Sequence, residues 1–183
     1  MRLWRVLPWD PAAAPAAPGG PLFVPRLFQG AGRHDAPDRY GCLYLAEQPQ
    51  SAVAEILAPF RGTGDLHASL LVRAGRRLGL AELELGEGAA VLDLDEPTVL
   101  SAEGLRPSII ATGHRRRSQA YALALFERHP EAAGLRWWSS LESSWLNLTL
   151  FDRAIGEVSV SGVRPLTVDE DVVQEAARHL GLA

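Results

Sequence analysis

Helix-like and strand-like stretches interleave along this chain without a repeating alternation, and several strand-like runs are separated only by short turns. That order argues against a doubly wound parallel sheet and for an α+β fold. Runs of strand character cover residues 2–7, 41–46, 67–72, 78–85, 89–94, 134–139, 146–151 and 155–163. A helix is expected from Pro49 to about residue 60, since proline suits the first helical position. A short helix follows Asp95-Glu96-Pro97 and reaches Leu105, and a longer one spans residues 115–128. The last opens on Thr167 with Glu170 three residues on, a capping-box pattern, and carries Val172, Val173, Ala176, Ala177 and Leu180.

The 183 residues, 47% hydrophobic, suit a single domain over residues 1–183 with one core. No apolar run reaches the roughly 18 residues that would cross a bilayer, and the first residues are too short and too charged a stretch for a secretion signal. A cytoplasmic protein without membrane contact is the expectation. The net charge of -4 speaks against direct nucleic-acid binding. Cys42 is the single cysteine, which rules out an internal disulfide and a cysteine-rich zinc site, and it reads as a small core residue. All eighteen basic side chains are arginine, so neither a P-loop lysine nor a Schiff-base lysine is available. The five histidines are scattered without a helical ligand pair, so no metal is expected. Gly-x-Ser-x-Gly does not occur, although 139–144 is rich in serine. The Pro/Ala-rich residues 10–21 read as a surface loop.

One strand-turn-helix stretch gathers the side chains best suited to chemistry. Arg33 stands in a glycine-flanked turn, Tyr44 on an apolar strand and Glu55 on the helix that begins at Pro49. Gly30-Ala31-Gly32 does not open a dinucleotide fingerprint, because Asp35 stands where the third glycine belongs and a strand follows instead of a helix. Val53, Ile56, Leu57 and Phe60 form the expected buried stripe of the helix. Glu55 projects away from it, beside Ser51, Ala54 and Ala58, either into solvent or into a cleft. Arg5, on the first strand, either reaches solvent at an edge or turns into a polar cleft. Arg115, Arg116 and Arg117 occupy the helix end where the backbone dipole disfavours cations, so carboxylates, a partner protein or an anionic ligand should hold them. Trp137, Trp138 and Trp145 are either core or the wall of a flat-sided pocket for a ring.

Taken in order, Trp4-Arg5-Val6, Gly32-Arg33, Leu43-Tyr44-Leu45-Ala46-Glu47 with Ala52 and Glu55, Gly134-Leu135-Arg136-Trp137-Trp138-Ser139 and Asn147-Leu148-Thr149-Leu150-Phe151 resemble the RES-domain proteins. These are named for arginine, glutamate and serine and are toxin partners of Xre-type antitoxins in bacteria. The resemblance implies an ADP-ribosyltransferase-like fold, with two packed, mostly antiparallel sheets, flanking helices and a central cleft for NAD. It also implies a toxin that degrades NAD by cleaving the nicotinamide–ribose bond, with phosphate or water as acceptor. Transfer of ADP-ribose to a specific bacterial protein and a non-catalytic partner-binding module are the alternatives. Carried across, the family's arginine falls on Arg33 with Arg5 as a second, its tyrosine on Tyr44, its glutamate on Glu55 and its serine on Ser139, with Ser140 as the neighbouring choice. On this resemblance NAD is a substrate, inorganic phosphate a co-substrate, and an Xre-type antitoxin the partner. Whether the chain pairs with itself or enters a higher complex with that antitoxin stays open.

Overall fold

The computed structural model describes residues 1–182. In chain order the elements are β1 (Arg2–Pro8), β2 (Cys42–Ala46), α1 (Pro49–Leu57), β3 (Val72–Arg73), β4 (Arg76–Leu85), β5 (Val91–Asp93), α2 (Pro97–Ala102), α3 (Pro107–Ile110), α4 (Arg115–Arg128), β6 (Gly134–Trp138), β7 (Leu146–Phe151), β8 (Val158–Pro165) and α5 (Asp171–Leu180). This is the mixed α+β composition that the sequence implied. Two compact units make up the chain, each assembled from separated stretches. No helix among the described residues is long and apolar enough to cross a membrane.

The first unit joins Met1–Phe23, Ala46–Glu84 and Ser159–Ala183. Here β1 runs antiparallel to β4 along its whole length, from Arg2 opposite Glu84 to Pro8 opposite Leu78. β3 folds back on β4 through Ala74 and Gly75, with φ of 50° and 74°. Two left-handed residues give a hairpin turn the twist of its strands. That tight turn leaves only Val72 and Arg73 able to pair. The expected strand over 67–72 is therefore mostly a 3-10 turn, Ala68–Leu71, with the Ser69 hydroxyl on His67 Nδ1 at 2.7 Å. β8 also pairs with β4. It starts at Val158, later than expected, because Asp152–Glu157 winds into a 3-10 helix.

α1 packs on α5. α1 buries Ser51, Ala52, Val53, Ala54 and Leu57, whereas Ile56 and Phe60 are only half-buried. The expected stripe is thus rotated: Ser51 and Ala54, which the sequence reading set on the Glu55 side facing either solvent or a cleft, are core. Small side chains there let a second helix approach, and α5 presents Val173, Ala176, Ala177 and Leu180. Each fully buried aliphatic of this face contributes about 1.5–3 kcal/mol. Only half of the capping box forms. The Thr167 N–H donates to Glu170 Oε1 at 2.9 Å, yet the helix begins at Asp171 with Glu170 as its N-cap. The backbone is still held to β4 at that point, because the Leu166 N–H donates to the Leu78 carbonyl. The proline-rich loop is mostly exposed over residues 11–18, as expected, while Gly20 and Pro21 at its end are buried, and it is held by turns such as Asp10 N–H to Gly19 O and Leu22 N–H to Pro15 O.

The second unit joins Val24–Leu45 and Leu85–Val158. β2 lies beside β7, β7 runs antiparallel to β6, and β6 runs parallel to β5. Leu94, Leu100, Ile110, Leu125, Leu135 and Phe151 are core. α4 has the expected bounds, and its far end is fastened by Arg153, which donates to the carbonyls of Phe126, His129 and Ala132. The Arg153 guanidinium also sits 4.1 Å from the Phe126 ring centroid, so the clamp is both polar and aromatic.

Candidate functional site

The loop between Gly30 and Asp35 is organised by one carboxylate. Asp35 Oδ2 accepts the N–H groups of Gly30 and Gly32 at 2.7 and 2.6 Å, and Oδ1 accepts the Tyr44 hydroxyl at 2.7 Å. The Tyr44 oxygen in turn accepts the His34 N–H at 2.9 Å. A side chain at position 32 is sterically excluded, since a Cβ there would lie 2.5 Å from both Asp35 Oδ1 and the Tyr44 hydroxyl. Burial pushes the Tyr44 phenol well above its usual range, with Cys42 and the Asp35 carboxylate adding to the rise. Tyr44 therefore stays protonated and keeps donating to Asp35. Cys42 is shifted in the same direction, first by burial and then by Asp35, which makes it an inert thiol, as its strand position suggested.

His34 is fully buried beneath this loop. Its Nδ1 meets Thr149 Oγ1 at 2.7 Å and its Nε2 meets the Tyr121 hydroxyl at 2.6 Å. Thr149 Oγ1 also accepts the Trp137 indole N–H at 3.0 Å. Burial lowers the His34 pKa well below its ordinary value, and the Arg33 and Arg115 cations lower it further, so the ring is neutral at pH 7. Arg33 itself is 5% exposed. Its Nη1 donates to the carbonyls of Ile110 and Thr112 at 2.9 and 2.8 Å, and its guanidinium carbon stands 4.9 Å from the Trp137 ring centroid. α4 closes the cage from the other side. The Ser118 hydroxyl donates to Arg33 O at 2.6 Å, and Gln119 Nε2 donates to the carbonyls of Gly30 and Gly32, both at 2.9 Å.

Arg33 and Tyr44 thus belong to one buried hub, Tyr44 bonded to Asp35 and the His34 N–H, and Arg33, next to His34 in the chain, bonded to Ile110, Thr112 and Ser118. Ser139 lies in the same unit, one residue past β6, and is 2% exposed. Its Oγ accepts the Leu141 N–H at 3.0 Å and its N–H donates to Trp145 O at 2.7 Å, while Ser140 is exposed. Glu55 and Arg5 belong to the first unit. Glu55 is exposed on α1, and Arg5 is half-buried on β1 with Nη1 donating to Pro21 O at 2.6 Å. Arg115, Arg116 and Arg117 are exposed and form no salt bridge among the described residues, so no carboxylate holds them.

Sequence reasoning missed Asp35, His34, Tyr121 and Thr149. Asp35 carried a signal: an aspartate just after Gly-x-Gly is well placed to accept the loop's own N–H groups. Beside the hub the second unit holds an open hollow of about 520 Å³ against Trp138, so one of the three tryptophans does line a pocket. Trp137 and Trp145 are core.

These features define an α+β domain whose arginine turn and tyrosine strand are locked together by a buried polar hub. The chain belongs to the RES domain family, which matches residues 2–169. No curated protein matches it. Among solved structures, a chain in the crystal structure of the M. tuberculosis MbcT-MbcA toxin-antitoxin complex is similar in fold, with a TM-score of 0.63 and 20% identity over 99% of this chain and 87% of that one.

Proposed function

We propose that this protein is the toxin of a bacterial toxin–antitoxin pair and that it destroys NAD by breaking the nicotinamide–ribose bond. The observation that carries the reading is that two side chains which the family resemblance assigns to the dinucleotide are each held in place around the same loop: the Tyr44 hydroxyl by Asp35 and the His34 N–H, and the Arg33 guanidinium by the carbonyls of Ile110 and Thr112. Membership of the RES family and the fold likeness to a protein from a toxin–antitoxin complex support it further.

Rupture of the bond builds positive charge on the ribosyl carbon, as in glycoside cleavage. The Glu55 carboxylate offsets that charge and holds a ribose hydroxyl, Tyr44 offers its ring to the nicotinamide, and Ser139 hydrogen-bonds the ribose. Arg33 directs its guanidinium charge at the pyrophosphate, with Arg5 as a second cation. Phosphate or water then takes the ADP-ribosyl group. An Xre-type antitoxin restrains the enzyme.

Purified protein incubated with NAD, with and without inorganic phosphate, should consume the dinucleotide as followed by mass spectrometry. Glu55→Ala should slow turnover by about a hundredfold or more, the scale of losing one preorganised electrostatic group. Equal turnover by wild type and Glu55→Ala removes Glu55 from the mechanism. No turnover by wild type under either condition removes the NAD reading itself.

A further inference from the structure

The hub is saturated with partners, and the hollow beside it is not. Pro97 of α2, Leu100, Leu105 and Pro107 of α3 give the hollow apolar walls, and the Trp138 indole gives it a flat one. Asp95, Ser101 and Ser143 add polar groups. Among the described residues no hydrogen bond or ion pair engages the Asp95 carboxylate, the Ser101 and Ser143 hydroxyls or the Trp138 indole N–H. Apolar walls with a few uncommitted polar groups, in a volume of this size, suit a small molecule.

The donor and acceptor inventory narrows the ligand. A carboxylate only accepts, so the ligand must offer Asp95 an N–H donor. A flat aromatic wall between apolar side chains selects a planar body that carries such a donor, and the hydroxyls of Ser101 and Ser143 can donate to ring nitrogens of that body. We propose that the hollow binds an amino-substituted nitrogen heterocycle of the adenine type, with its exocyclic amine on Asp95.

The hollow and the hub share elements. Pro107 opens α3 in the hollow, and Ile110 at its other end holds Arg33, about 5 Å away along one helical turn. Trp137 under Arg33 and Trp138 in the hollow are consecutive residues of β6. The adenine ring can therefore come from the far end of a dinucleotide, which rests on the function proposed above, or from a free adenine nucleoside or nucleotide, which does not.

Calorimetric titration of the full chain with adenosine and with inosine tests this, with NAD consumption measured on the same samples. Wild type should bind adenosine about tenfold or more tightly than inosine, because a carboxylate facing the 6-oxo group of inosine leaves both unpaired. Asp95→Asn should abolish the preference, since the amide can donate to that oxygen while its carbonyl still accepts the adenosine amine. Trp138→Leu should weaken both ligands. Displacement of adenosine by NAD assigns the site to the dinucleotide, and its failure to displace assigns it to a free nucleoside or nucleotide. Absence of adenosine binding, equal affinity for the two nucleosides, or an unchanged preference in Asp95→Asn overturns the proposal. NAD turnover without adenosine binding sinks this inference and leaves the proposed function standing. Adenosine binding without turnover does the reverse.

Discussion

Within the second unit two polar regions lie at opposite ends of α3 and behave in opposite ways. In the hub, carboxylate, imidazole, phenol and guanidinium each meet protein partners at hydrogen-bond distance. In the hollow, a carboxylate, two hydroxyls and an indole N–H meet none among the described residues. The contrast separates two uses of polar chemistry. Buried and fully paired groups fix one conformation, because leaving any of them unpaired costs the full desolvation of its partner. Solvated and uncommitted groups add almost nothing to the fold and remain available to a ligand.

The largest expected effect sits at the centre of the hub. Asp35→Ala strands the N–H groups of Gly30 and Gly32 and the Tyr44 hydroxyl together. Since Asp35 is buried, the loss should be about 3–5 kcal/mol in urea denaturation, with NAD turnover falling alongside. A loss under about 1 kcal/mol would mean that the loop holds its shape without the carboxylate, and the contrast with the hollow would collapse.

The second effect is a pH dependence confined to the hub. His34 has a folded-state pKa depressed below its unfolded value of 6.5. Below that value the unfolded chain takes up a proton that the folded chain refuses. The His34 contribution is therefore complete above pH 6.5 and declines as pH falls, by at most about 1.4 kcal/mol per pH unit. Urea titrations between pH 7 and pH 5 should show this slope in wild type and a shallower one in His34→Gln. Equal slopes would show that the imidazole is not held neutral by burial.

The same contrast explains what could be read along the chain and what could not. α4 and the first residue of α1 agree with the sequence reading because caps, proline placement and period are local signals. The strands β1, β6 and β7 agree for the same reason. The hub was legible only in part. Arg33 and Tyr44 stood out in the strand-turn-helix stretch and again through family resemblance, while His34 and Asp35 are polar residues whose burial depends on Thr149, Tyr121 and Cys42, all distant or off-period. Ser51 and Ala54 misled because a small side chain suits a cleft edge and a close helix contact equally, and only the presence of α5 decides between them. Alternation along β6 implied that Trp137 and Trp138 face opposite ways, but not which of them would meet the hub.

The smallest expected effect belongs to the hollow, and its smallness is the point. Asp95 and Ser101 are exposed, and neither side chain is engaged by any described residue, so Asp95→Asn should change unfolding free energy by no more than about 1 kcal/mol and Ser101→Ala by no more than about 0.5 kcal/mol. The measurement is urea denaturation in the absence of nucleoside. Asp95 lies just before α2, whose N-cap is Glu96, and a carboxylate near a helix N-terminus can stabilise by about 0.3–1 kcal/mol through the dipole. Asp95→Asn therefore sets the upper bound and Ser101→Ala, inside α2 with no such interaction, the lower. A loss well above 1 kcal/mol for Ser101→Ala would mean that its hydroxyl serves the fold, and the hollow would then differ from the hub in degree and not in kind.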